Sequence, residues 1–183
     1  FHTVIKNVLV GAGPRGIAVS RSRQNLFAAN SGDGSLVKVD LVRNSIMSRA
    51  PISLGAESWD VALAEELGIV AVSNRGLGAV SLFDPVTMRA TGQVRVGRTP
   101  TRMAVAPRLR RLFVVNESSE ELSVIDLSSQ RVVVSIALEA RPVDVAVDRT
   151  QLRVAIAHGI SPNLVVVNAA SLQIEGSGIR VGA

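Results

Sequence analysis

The sequence predicts an all-β protein, a β-propeller of four consecutive four-stranded blades, from one internal repeat and one compositional bias. Three marker positions recur with a common spacing of 44, 42 and 42 residues: Asn30, Asn74, Asn116 and His158; Asp40, Asp84, Asp126 and Asn168; Pro14, Ser58, Pro100 and Pro142. Turn residues divide each repeat into four short strand-like runs, and four-stranded units of about 40–45 residues are typical of propeller blades. The apolar residues, 47% of the chain, are mostly Val, Leu, Ile and Ala, and β-branched residues favour strands.

The repeat predicts blades over about residues 14–57, 58–99, 100–141 and 142–183. In the third blade the four strands are predicted at 101–106, 111–117, 122–127 and 131–138. The turn after the third strand of the second blade contains Asp84-Pro85, in which the Asp side chain bonds the turn backbone and Pro fixes φ. Residues 61–67 alone would suit a helical turn, but the register aligns 59–64 with the first strands of the other blades and predicts a strand.

The two ends of the sequence predict an open fragment of a seven-bladed propeller. Residues 3–10 have the pattern of one extra N-terminal strand, the last strand of a preceding blade, while 173–181 already supplies the fourth strand of the last blade. Seven blades would need roughly 290 residues. The alternatives are a closed four-bladed ring and an oligomer that completes the ring. An isolated arc would expose the apolar faces of its outer blades.

Short motifs within the blades resemble a known repeat family. The third blade contains Phe113-Val-Val-Asn116, the run Leu-Ser-Val-Ile-Asp-Leu at 122–127 and Arg141-Pro142, and Val-Gly pairs occur at 10–11, 96–97 and 181–182. In these features nearly the whole chain resembles the bacterial and archaeal YVTN propeller repeats, named for the tetrapeptide Tyr-Val-Thr-Asn. The resemblance implies a propeller and a periplasmic or extracellular location in a bacterium.

Composition and motifs exclude several kinds of site. The chain has no Cys, so it has no disulfide, Cys metal ligand or Cys nucleophile. The net charge is +5, but the basic residues are spread over every repeat and aromatic residues are only 3%, so no nucleic-acid partner is expected. No apolar run is long enough for a membrane span. No zinc signature, phosphate loop or nucleophile elbow is present, and no cofactor is expected.

The candidate site lies where the blades begin beside the axial channel. In a propeller, the loops between blades and those joining second to third strands share one face, here called the first loop face, on which acidic residues outnumber basic ones. Five candidates lie at the blade starts: Arg15, Trp59, Asp60, Arg102 and Asp144. They predict a protein or small-molecule partner at the channel mouth. The alternatives are that Asp60 and Arg102 pair between neighbouring blades and that Trp59 covers the core.

His158 is the sixth candidate, because it interrupts the Asn series. Asn at the end of a strand can bond the following loop, so its repetition indicates a structural role. A histidine can instead serve as a base or as a metal or haem ligand. No carboxylate lies in the adjacent loop, 159–163, and no second His shares this register. The sequence therefore predicts that the imidazole is bonded to its own loop.

The repeats show no concentrated polar cluster, and this predicts a non-catalytic binding or scaffold propeller of the YVTN-repeat type. Seven-bladed propellers related to this family include lactonases, amine dehydrogenase subunits, the haem d1 domain of nitrite reductases and surface proteins of unknown role. The alternative implied by that resemblance is a propeller enzyme or redox subunit, lactonase-like, amine dehydrogenase-like or haem d1-like, with key residues in further blades.

Overall fold

A computed structural model describes residues 3–4, 6–22, 24–139, 141–175 and 179–180. These residues form an all-β protein of four antiparallel four-stranded sheets, each with its strands in chain order. The first two sheets contain β1 (Pro14–Val19), β2 (Asn25–Asn30), β3 (Ser35–Asp40) and β4 (Ser45–Pro51), then β5 (Ser58–Ala64), β6 (Ile69–Asn74), β7 (Ala79–Phe83) and β8 (Ala90–Arg95). The last two contain β9 (Pro100–Ala106), β10 (Arg111–Asn116), β11 (Glu121–Asp126) and β12 (Arg131–Ala137), then β13 (Pro142–Val147), β14 (Arg153–His158), β15 (Asn163–Asn168) and β16 (Ile179–Arg180).

The sheets are arranged as consecutive propeller blades. The first strand of each blade contacts the first strand of the next, β1 with β5, β5 with β9 and β9 with β13. Within the described residues no comparable packing joins β13 to β1, so the blades form an open arc and not a closed four-bladed ring. The four-strand blades predicted from the repeat are confirmed.

Three apolar clusters fill the three seams between blades. In the seam between blades 2 and 3, for example, Leu82 and Ala71 pack with Leu112 and Ile125. Side chains of each first strand alternate between the two seams, as the two-residue period of a strand requires. Val61, Met103 and Val145 face the preceding blade and are at most 8% exposed, whereas the equivalent Ile17 in blade 1 is 60% exposed. The arc therefore presents an uncovered apolar face on blade 1.

Turns between third and fourth strands use the carboxylate or amide predicted from the sequence. Asp84 Oδ1 accepts hydrogen bonds from the backbone N–H groups of Val86 and Thr87. Asp40, Asp126 and Asn168 bond their own turns in the same way. These bonds satisfy backbone donors that the strand ladder leaves unpaired, which explains why this position recurs in all four blades.

The outcome of the strand prediction differs among three segments, 58–64, 3–10 and 173–181. Residues 58–64 form a strand, as the register predicted, and the helical tendency is confined to a short 3₁₀ turn at Glu65–Leu67. The described residues of 3–10 form no β-ladder, so the extra strand stays a prediction. Of the strand predicted at 173–181, the described residues form one bridge, from Ile174 to Val167, and the two-residue β16. Residues 176–178 and the Val-Gly pair at 181–182 lie outside the described residues.

Candidate functional site

Two arginines contact Trp59 at the start of blade 2. The guanidinium carbon of Arg15, from blade 1, lies 4.4 Å from the centre of the indole ring, and that of Arg75 lies 4.3 Å from it. At these distances each cation is attracted to the electron-rich ring. The ring is therefore engaged by the protein's own side chains, and the predicted neighbours Arg15 and Trp59 are in contact.

The contacts continue from Arg75 across the first loop face to Arg141, the last residue of blade 3. Glu117 Oε2 lies 3.8 Å from the Arg75 guanidinium, and the other oxygen of Glu117 pairs with Arg141. Arg75 and Glu117 occupy the same repeat position, the residue after the strand-ending Asn of blades 2 and 3. Side chains of blades 1, 2 and 3 thus form one row, Arg15, Trp59, Arg75, Glu117 and Arg141.

Asp60 links the starts of blades 2 and 3. Its Oδ2 accepts a hydrogen bond from the backbone N–H of Met103 at 2.9 Å, and its Oδ1 lies 3.6 Å from the Arg102 guanidinium. The buried hydroxyl of Ser73 adds a second link, because it accepts from the N–H of Asp60 and donates to the carbonyl of Thr101 at 2.7 Å. Asp60 and Arg102 are therefore brought together, in the arrangement of the structural alternative considered above.

The buried position of Asp60 alters its ionisation. Burial raises the pKa of its carboxyl group, because water can no longer solvate the charged form. The Met103 N–H and the Arg102 charge oppose this effect, while the nearby charge of Asp144 adds to it and raises the pKa further. Asp144 itself is exposed and accepts a hydrogen bond from the N–H of Val145. A carboxyl group with a raised pKa is a recognised feature of functional sites, although structural pairs show it too.

Blade 1 has Gly16 at the repeat position of Asp60, and the structure gives the reason. A Cβ added to Gly16 would lie 2.5 Å from the Asp60 Cα and 2.7 Å from the Val61 N. Strands β1 and β5 therefore approach backbone to backbone at this point, and only a residue without a side chain fits. The absence of a fourth polar residue from this repeat position follows from packing.

His158 ends β14, where it pairs with Pro142 across the ladder of blade 4. Its Nδ1 is 3.3 Å from the carbonyl oxygen of Asn163 in its own loop, and its Nε2 is buried without a hydrogen-bond partner among the described residues. The Asn residues of the series bond differently from the prediction. Asn74 and Asn116 donate to Ser81 and Ser123 on the next strand and not to the loop. A side chain at a strand end reaches a diagonal neighbour across the ladder more directly than it reaches the loop backbone.

Sequence reasoning thus identified Arg15, Trp59, Asp60 and Arg102 as neighbours but omitted Arg75, Glu117 and Arg141. The signal was available, since Arg75 and Glu117 follow the repeated Asn and have opposite charges in adjacent blades. Within the described part of the chain, no three His, Asp or Glu side chains approach closely enough to hold a metal ion. No helix among those residues is long and apolar enough to cross a membrane.

Comparison with known proteins bears on the fold. No protein-family profile matches the chain, and no curated protein matches it in sequence. Many solved structures match it in three dimensions. Among them is hydrazine synthase of Kuenenia stuttgartiensis, with a TM-score of 0.81 and 20% identity over 92% of this chain. The chain spans about half of that protein, 49% of its length. The similarity confirms the β-propeller fold.

Proposed function

We propose that this chain is part of a non-catalytic binding propeller of the YVTN-repeat type, exported to the periplasm or cell exterior, which recognises a partner on its first loop face. The observation that supports this most directly is the row of contacts from Arg15 through Trp59, Arg75 and Glu117 to Arg141. Side chains from three blades hold one another in place there. Groups held in this way lose little conformational freedom on binding a partner.

The contacts of the titratable candidates agree with a binding role. Asp60 has its two oxygens directed at Met103 N–H and Arg102, and the Nδ1 of His158 faces its own loop. A general base or nucleophile needs a reactive atom directed at a substrate position. The polar groups of the row from Arg15 to Arg141 instead contact one another, and the guanidinium and carboxylate groups at the surface suit recognition of a charged partner.

The test uses the single tryptophan of the chain as a reporter. Trp59 fluorescence is followed during titration with dicarboxylic acids and short acidic peptides, in the wild type and in Arg15→Ala. Saturable quenching that is lost in Arg15→Ala and kept in Arg89→Ala, an arginine exposed elsewhere, would support binding at the channel mouth. The same preparation is assayed for lactone hydrolysis and for stoichiometric haem or quinone by absorbance. Turnover or a bound redox group would contradict the proposal.

A second candidate is an enzyme or redox propeller subunit. Two observations favour it: burial raises the pKa of the Asp60 carboxyl group, and the fold is similar to that of hydrazine synthase of Kuenenia stuttgartiensis. In this hypothesis the raised pKa lets the Asp60 carboxyl group keep a proton that a solvent-exposed aspartate would lose at the same pH. Asp60→Asn would then abolish turnover, whereas in the binding hypothesis it changes only stability.

A further inference from the structure

Blade 2 has an open cavity of about 340 Å³ at its end on the first loop face. The loop after β6 forms one wall, and the connection from β8 to β9 forms the other. Three of its lining residues are arginines, Arg75, Arg95 and Arg98, and none is acidic. Leu77 and Thr99 are also in the lining. The cavity is a local exception on a face where the sequence has more acidic than basic residues.

This concentration of arginine is peculiar to blade 2. Blade 3 has Glu117 where blade 2 has Arg75. It also has Ala137 where blade 2 has Arg95, because each of these two residues ends the fourth strand of its blade and pairs with the first residue of the third strand. Residues that the fold requires recur in the blades, as the turn Asp residues do. The blade fold therefore does not require arginine at these positions.

The arginines have few partners of opposite charge. Among the described residues, Arg95 makes no hydrogen bond or ion pair, and the Arg98 guanidinium bonds only the Ser118 carbonyl, at 3.4 Å. The Nε of Arg75 is buried and has no partner there. Two carboxylates lie next to lining residues, that of Glu117 beside Arg75 and that of Glu121 beside Gly97, and each has a partner of its own. Glu117 pairs with Arg75 and Arg141, and Glu121 accepts from Asn116.

We propose that this cavity binds a small oxyanion group with two or more negative charges, such as the phosphate of a phosphorylated small molecule. A guanidinium group presents a planar pair of N–H donors that matches phosphate or carboxylate oxygens. The exposed side chains of Arg95 and Arg98 are long enough to close on an anion between the loops. The volume also accommodates a group attached to the anion, since ligand pockets begin at about 300 Å³. The site specifies the ligand class for the proposed binding function and rests on it.

Calorimetric titration of the whole chain with inorganic phosphate, at constant ionic strength set with sodium chloride, tests the site. The variant is Arg95→Gln with Arg98→Gln, two exposed residues whose replacement leaves the apolar seams intact. The matched control is Arg89→Gln with Arg131→Gln, also exposed and also two charges lower. A parallel titration with citrate distinguishes a phosphate ester from a polycarboxylate, because the tighter ligand identifies the preferred chemistry.

Saturable phosphate or citrate binding that weakens at least about tenfold in Arg95→Gln/Arg98→Gln and is kept in the control would support the site. Equal affinity in all three proteins, or no binding of either anion to the wild type, would overturn it. Neither result depends on lactone or redox assays. Failure of the anion site is therefore distinguishable from failure of the proposed binding function, which turnover would contradict.

Discussion

The hydroxyl of Ser58 donates a hydrogen bond to Oδ1 of Asn74 at 3.1 Å, and both residues are fully buried. The other three blades have Pro at the position of Ser58, paired opposite the strand-ending residue. Proline has no donor to offer. Oδ1 of Asn30 and of Asn116 accordingly has no partner among the described residues, whereas Oδ1 of Asn74 has one. The departure from proline in blade 2 thus satisfies a buried acceptor.

Ser58→Ala should lower the free energy of unfolding by about 1–2 kcal/mol, because it leaves the buried Asn74 oxygen without a donor. Chemical denaturation followed by circular dichroism measures the change. Ser53→Ala is the control, since Ser53 is exposed and its substitution should change stability by less than about 0.5 kcal/mol. Equal losses in the two variants would show that the Ser58–Asn74 bond contributes nothing specific.

Gly16→Ala should destabilise the contact between blades 1 and 2 by about 1–3 kcal/mol, because the new methyl group would meet the Asp60 backbone. Backbone atoms cannot rotate away, so the two strands must separate. Gly92→Ala is the matched control in β8, where the added methyl meets only the end of the flexible Gln130 side chain. Thermal unfolding of both variants is the measurement. A loss in Gly92→Ala as large as that in Gly16→Ala would contradict the argument.

Much of the fold could be predicted from the sequence because the repeat constrains it locally. The turn role of Asp84 follows from its own neighbours in the chain, and the strand at 59–64 follows from register. Arg15 and Trp59 were predicted to be neighbours, but the stacking of Arg15 and Arg75 on the indole ring could not be predicted. The Arg15 contact depends on the distance between blades 1 and 2, which is set by how closely β1 and β5 pack at Gly16, and the Arg75 contact depends on the loop after β6 within blade 2. The repeat aligns Gly16 with the polar candidates Asp60, Arg102 and Asp144, but only the packing explains why blade 1 has a glycine at this position.

Asp60→Asn should become more stable relative to the wild type as pH rises above 3.8. Burial raises the pKa of Asp60 in the folded state above the unfolded value, so between these values the folded state keeps a proton that the unfolded state has lost. Wild-type stability therefore falls with rising pH in this window, while the amide does not titrate. The amide oxygen can still accept from the Met103 N–H. Denaturation at pH 3, 4, 5, 6 and 7 measures the difference.

Asp126→Asn is the control with the opposite sign. The backbone N–H groups of its turn lower the pKa of Asp126, so its contribution is present above pH 3.8 and is lost as pH falls below that value. The stability of Asp126→Asn should rise relative to the wild type only as the pH falls below 3.8. If the Asp60→Asn difference also grew toward acid, the raised pKa of Asp60 would be wrong.

His158 replaces the strand-ending Asn in blade 4, and the residue that would be its partner is replaced as well. In blades 2 and 3 the strand-ending Asn donates to a serine seven residues later, Ser81 at 2.9 Å and Ser123 at 2.8 Å. In blade 4 that position is Val165. His158→Asn alone should therefore be close to neutral, because it removes a buried nitrogen without a partner but gains no hydroxyl.

Combining His158→Asn with Val165→Ser should restore the bond of the sister blades. Val165→Ser alone should cost about 1 kcal/mol, because a partly buried apolar side chain becomes a hydroxyl without a partner. Together the two changes should couple favourably by about 1 kcal/mol in a double-mutant cycle of unfolding free energies. A coupling of zero would show that the amide does not reach the second strand in this blade. If His158 is instead a ligand or a base, His158→Asn would leave stability unchanged and abolish binding or turnover, because the imidazole would then act on a partner and not on its own loop.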